Sequence, residues 1–252
     1  MKEKKHSEFA LDQLNDFKKI YSMGWRVFFD GRRDYGWDEI VSGKKIENRG
    51  AMFAVAPNTF RGFTRKNKGE NGAMHKFVGY FMKNKQSLVG EMKKVESEEA
   101  LDDLSDRVCS EIKASLDNVM PDRVESYNAM RRPVDLYFEH LVAMSNELQS
   151  ERNKLSALLF LPLDRPIFES ELVFSKAELK CLGVTRAMNA RSISSKEQYM
   201  KMQRFLRGKS EKIGLLLKEI DEEYKRGFHR IFFDLIWGER FNSDGGNLFL
   251  VS

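Results

Sequence analysis

FHRIFFDLIW, residues 228–237, is the stretch on which the fold class turns. It is dense in aromatic and β-branched residues. Read with a period of two, Ile231, Phe233, Leu235 and Trp237 fall on one face, and Arg230, Phe232, Asp234 and Ile236 on the other. That pattern predicts a β-strand. Two further segments bear on the same question. AMFAVA, Ala51–Ala56, reads as a short strand before Pro57. Ala157–Leu161 is apolar and precedes Pro162, whose missing N–H excludes a central strand and leaves a helix end or an edge strand.

Outward from these segments, helical periodicity dominates. Phe9, Leu11, Leu14, Phe17 and Tyr21 make one stripe, which Gly24 is expected to end. Met74, Phe77, Val78, Phe81, Met82, Leu88, Val89 and Met92 make a longer one from Ala73 onward. Ser97, followed by two glutamates, suits a helix start, and so does Pro133. Ser175 and Gly183 bracket a short helix, and Ser195–Gln198 matches a capping box. The expected fold is therefore α+β, mainly α: amphipathic helices packed with a few short strands. A single compact domain, 1–252, is expected, with a basic subregion 1–95 packed on a helical remainder 96–252.

The chain has 252 residues, of which 41% are hydrophobic and 12% aromatic, enough for a sizeable core. Its apolar runs are too short to span a bilayer, and MKEKKHSEFALDQL lacks the apolar centre of a signal peptide. Cys109 and Cys181 are the two cysteines, each in a helical pattern, so buried thiols are expected in place of a disulfide framework or a zinc site. The expectation is a soluble, cytoplasmic protein with no membrane partner.

Charge is unevenly spread. From Asn48 to Gly90 there are eight Arg/Lys against one acid, and from Glu91 to Glu125 eleven acids against five bases. A cationic block beside an anionic one predicts a positive face that attracts phosphate backbones or an acidic surface. Its densest part is RGFTRKNKGENGAMHKF, Arg61–Phe77, with Arg61, Arg65, Lys66 and Lys68 close together and Lys76 just beyond. Glycines 69 and 72 permit close backbone approach, and the segment leads into a helix whose first N–H groups favour anions. Neither the G-x-x-x-x-G-K-[ST] nor the G-x-G-x-x-G spacing is present, so a polymer backbone fits better than a nucleotide cofactor. Phe60, Phe63 and Phe77 are placed either to stack on bases or to anchor the loop. Arg204 and Arg207, with Lys201, extend the basic face on a later helix.

Asp135 and Glu139 are four residues apart on one helix face, and Asp164 follows an apolar segment. Such carboxylates suit Mg²⁺, which in nucleases polarises the attacked phosphate. The repulsion between Asp135 and Glu139 is relieved either by a divalent metal or by the neighbouring Arg131 and Arg132. His75 stands at the junction of basic segment and helix, where an imidazole serves phosphate binding or general-base work.

The function expected from these residues is nucleic-acid binding, DNA ahead of RNA. The contacts are Arg61, Arg65, Lys66, Lys68, Lys76, Arg204 and Arg207. The expected chemistry is a Mg²⁺-dependent phosphodiesterase of restriction or defence type, with metal at Asp135, Glu139 and Asp164 and catalysis by His75 and Asp164. A non-catalytic DNA- or RNA-binding regulator is the alternative, followed by an interaction protein whose basic block docks an acidic partner. The reading allows a homodimer.

Overall fold

A computed structural model describes residues 9–30, 34–46, 50–52, 55–60, 63, 72–116 and 124–236. Within it, Arg230–Ile236 is a 3₁₀ helix, so the strand expected at 228–237 does not form. Every residue from Arg230 to Leu235 is buried, on both sides of the segment. A short continuous apolar run looks the same to periodicity whether it is a strand or a helical turn. The tightest evidence is at Arg230, which alternation placed on a polar face. Its guanidinium is buried and donates to the carbonyls of Leu158 and Leu159, the orphan acceptors of a helix end, and to Glu98 at 2.8 Å.

The fold is all-helical, which corrects the α+β expectation. Strand pairing among the described residues is confined to β1 (Lys44–Ile46) and β2 (Gly50–Met52), an antiparallel ladder of three residue pairs, plus one isolated bridge, Tyr35 to Ser145. Of the expected strand 51–56, Ala51 and Met52 belong to β2, Val55 and Ala56 are not in a strand, and 53 and 54 lie outside the described residues. Ala157–Leu161 resolves as a helix end, with extended backbone after Leu158.

The helices are α1 (Leu11–Trp25), α2 (Trp37–Ser42), α3 (Ala73–Lys83), α4 (Lys85–Lys94), α5 (Glu98–Ser115), α6 (Tyr127–Met144), α7 (Arg152–Leu158), α8 (Arg165–Glu169), α9 (Lys176–Leu182) and α10 (Lys196–Ile220). Several begin where side-chain chemistry predicts. Ser97, Ser175 and Ser195 each accept a hydrogen bond from the backbone N–H three residues on. Gly183 ends α9 with φ of 72°, a left-handed conformation that glycine adopts without a Cβ penalty.

At Gly24 and Pro133 the structure differs from expectation. Gly24 lies inside α1, which continues through Trp25 into a π-helical turn, Arg26–Asp30. The face of the Phe232 ring lies against the Gly24 backbone, so glycine is there for close packing. Pro133 does not start its helix; α6 begins six residues earlier, at Tyr127.

α6 is the central element. Of its residues, all but Tyr127 and Arg132 are buried. Several of its polar side chains find their partners inside the core. Arg131, fully buried, donates to Asp135 at 2.8 Å, Asp102 at 2.7 Å and Asp106 at 3.0 Å. Its guanidinium also lies over the rings of Phe160 and Tyr199. Arg230 covers Phe160 as well, with its guanidinium 4.3 Å from the ring centre. One phenylalanine thus lies against two buried cations, each held by carboxylates contributed by α5. The acidic α5 is consequently an inward-facing counterion strip for α6 and the 3₁₀ segment. One hydrophobic cluster joins residues from Phe17 to Leu235.

Candidate functional site

A cavity of about 380 Å³ opens between four parts of the chain. Its walls come from four separate places. α6 supplies Ala129, Arg132 and Pro133; the start of α8 supplies Asp164, Arg165 and Pro166. The 3₁₀ turn Ala190–Ser192 and the residue before it supply Asn189, Ala190 and Arg191, and Thr59 and Phe63 complete the rim.

Local chemistry explains why these segments meet. Asn128, fully buried, donates through Nδ2 to the carbonyls of Leu163 (2.8 Å) and Ala190 (3.1 Å), pinning α6 to two walls at once. Ser126 adds a bond to the Ile193 carbonyl at 2.8 Å, and the backbone N–H groups of Tyr127 and Asn128 donate to Ser194 and Ile193. Asn189 accepts from the Arg191 N–H, shaping the turn that presents Arg191. Pro133 carries no N–H, so the Ala129 carbonyl lacks its helical donor, and both residues line the cavity.

Three arginines, Arg132, Arg165 and Arg191, line this cavity together with one carboxylate, Asp164. Arg132 donates from Nη2 to Asp164 at 2.7 Å, while its Nε is buried with no hydrogen-bond acceptor. Arg165 pairs with Glu169 at the surface, and Arg191 is exposed. Guanidiniums in a concave site suit planar, bidentate recognition of phosphate or carboxylate.

The residues expected from sequence distribute as follows. Arg61, Arg65, Lys66 and Lys68 lie outside the described residues. Lys76 is half-buried on α3, and His75 is exposed beside it. Arg204 is exposed on α10. Arg207, on the same helix, is paired with Glu98 (2.9 Å) and Glu211 (3.1 Å), which lowers its value as a phosphate contact. None of these four lines the cavity; among the described residues singled out in the sequence, Asp164 and Phe63 do. Phe60, Phe63 and Phe77 are buried and pack on one another with ring centres 5.1–6.2 Å apart, the geometry of an anchor.

The expected metal set is not assembled. No group of three or more His, Cys, Asp or Glu side chains among the described residues is placed to hold a metal ion. Asp135 is taken by Arg131 and by the Tyr199 hydroxyl at 2.7 Å, and Asp164 by Arg132. Of the two ways to relieve Asp135–Glu139 repulsion, the cation Arg131 is the one in place. Burial pushes the Asp135 carboxyl up to about 6, against the lowering influence of Arg131 and of the Tyr199 hydrogen bond. Desolvation also pushes the partly buried Cys109 thiol far above its usual value, which keeps it neutral, whereas Cys181 is exposed, against the expectation of two buried thiols.

Sequence reasoning missed Arg132 as a cavity residue, and missed Arg165, Arg191 and Asn128 altogether. The linear signals at hand were RRP at 131–133 and DRP at 164–166, an arginine before a proline in each. No helix among the described residues is long and apolar enough to cross a membrane. The chain matches no protein-family profile, no curated protein and no solved structure.

Proposed function

We propose that this chain is a non-catalytic nucleic-acid-binding protein whose phosphate contacts centre on the arginine cavity. The observation that carries the reading is that Arg132, Arg165 and Arg191 line one cavity together with Thr59 and Phe63. Those two residues flank Arg61 in the chain, at the start of the most cationic segment. The exposed Arg204 and Lys201 extend the same chemistry on α10. Binding without cleavage is preferred to a Mg²⁺-dependent nuclease because Asp135 and Asp164 already serve arginines.

The test is binding of labelled DNA and RNA strands at several salt concentrations, with and without Mg²⁺. Affinity that falls steeply with salt supports phosphate contacts. Strand cleavage in Mg²⁺ would restore the nuclease reading. Failure to bind either polymer at low salt overturns the proposal.

A further inference from the structure

We propose that the arginine cavity takes a single phosphorylated nucleotide, presented either at the end of a strand or as a free nucleoside monophosphate. The inference rests on the nucleic-acid reading and narrows it. Phosphates along an unbroken duplex lie on a convex surface and are met by exposed side chains. A cavity of about 380 Å³ is concave, at the small end of the ~300–1,000 Å³ typical of small-ligand sites. It admits a group that protrudes, and a terminal or unpaired nucleotide is such a group.

The lining divides into two kinds of surface. Phe63, Ala129, Pro133, Pro166 and Ala190 offer apolar walls suited to the faces of a base or sugar. Arg132, Arg165 and Arg191 offer the guanidiniums for a phosphate. A site for bare phosphate needs no apolar wall, and a site for an apolar ligand needs no arginines. Arg132 is fixed at the wall by Asp164, which accepts a hydrogen bond from its Nη2 at 2.7 Å. Asn128, through its bonds to Leu163 and Ala190, acts as a positioning residue for this arrangement.

The experiment measures binding of short single strands that differ only at their ends: 5′-phosphate, 3′-phosphate, or hydroxyl at both. Adenosine monophosphate and inorganic phosphate serve as competitors. One charge-assisted hydrogen bond to a terminal phosphate corresponds to roughly tenfold tighter binding or more. The expected result is that gap for one phosphorylated end, competition by adenosine monophosphate at concentrations where inorganic phosphate is ineffective, and closure of the gap in Arg191→Gln and Arg132→Lys. Thermal melts of both variants report whether they fold. Equal affinity for all three strands overturns the inference, while salt-sensitive binding of those strands leaves the broader reading in place. Equal competition by inorganic phosphate overturns it as well, by removing any part for the apolar walls. Binding of adenosine monophosphate without binding of any strand supports the cavity assignment and overturns the polymer reading.

Discussion

Replacing Gly24 with alanine tests how the terminal 3₁₀ segment is packed. A Cβ built on Gly24 falls 2.5 Å from Cγ of Phe232 and 2.6 Å from both Cδ atoms. Ordinary carbon contact needs ~3.5–4.0 Å, so about 1 Å of displacement is required. The Phe232 ring has little room to give, with Trp25, Phe28, Phe228 and His229 all within 6 Å of it, centre to centre. Overpacking of this kind costs ~1–3 kcal/mol, and a wedged ring places it near the upper end. Alanine in a helix interior returns ~1 kcal/mol over glycine. The net expectation is a loss of about 2 kcal/mol. Gly208, in α10, is the control: a Cβ there meets nothing within 4 Å, so Gly208→Ala should gain ~0.5–1 kcal/mol. Urea unfolding followed by circular dichroism compares the two, with Gly24→Ala repeated on a Phe232→Ala background. There the clash is gone, and the same substitution should turn stabilising, a coupling of about 3 kcal/mol. If Gly24→Ala stabilises as much as Gly208→Ala, Phe232 does not lie on α1 and the packing of 230–236 is refuted.

Other consequences are as direct. Arg131→Met leaves the buried Asp135 without a cation, while Asp102 and Asp106 keep Lys196, and should cost about 3 kcal/mol; a near-neutral result contradicts the buried network. His229 is half-buried against the rings of Trp25 and Phe232, and the desolvation there lowers its imidazole to about 4 from an ordinary 6.5. The unfolded chain binds that proton more readily, so this contribution is complete above pH 6.5 and is lost as pH falls towards 4, on the order of 3 kcal/mol at most. Asp135, raised to about 6, acts oppositely by favouring the folded state at acid pH, but it is common to both chains when His229→Phe is compared with the parent. His229→Phe should be the less acid-sensitive of the two; identical pH profiles would falsify the burial argument. Asp135→Asn should lower the unfolding midpoint equally with and without Mg²⁺. Mg²⁺ stabilisation of the parent that is absent from Asp135→Asn would return this carboxylate to a metal role.

Legibility in the sequence followed locality. The serines at 97, 175 and 195 and the glycine at 183 act through bonds to residues three or four away, so their roles could be read in order along the chain. Gly24 could not, because the ring that requires it lies 208 positions later. The 228–237 run was ambiguous for a related reason: what distinguishes strand from 3₁₀ turn there is burial on every side, supplied by α1, α7 and α10. Asp135 and Glu139 were placed correctly on one helix face, but Arg131, one turn earlier, is the group that sits with Asp135. The cavity was hidden because its arginines come from positions 132, 165 and 191, on elements that Asn128 brings together.

The most direct measurement of the central claim is the salt dependence of strand binding in the parent and in an Arg165→Ala/Arg191→Ala variant. Each phosphate contact contributes ~0.7–0.9 to the slope of log affinity against log salt, so the variant's slope should be shallower by roughly 1.4–1.8. A parent slope near zero, or an unchanged slope in the variant, would contradict the assignment of phosphate contacts to the arginine cavity.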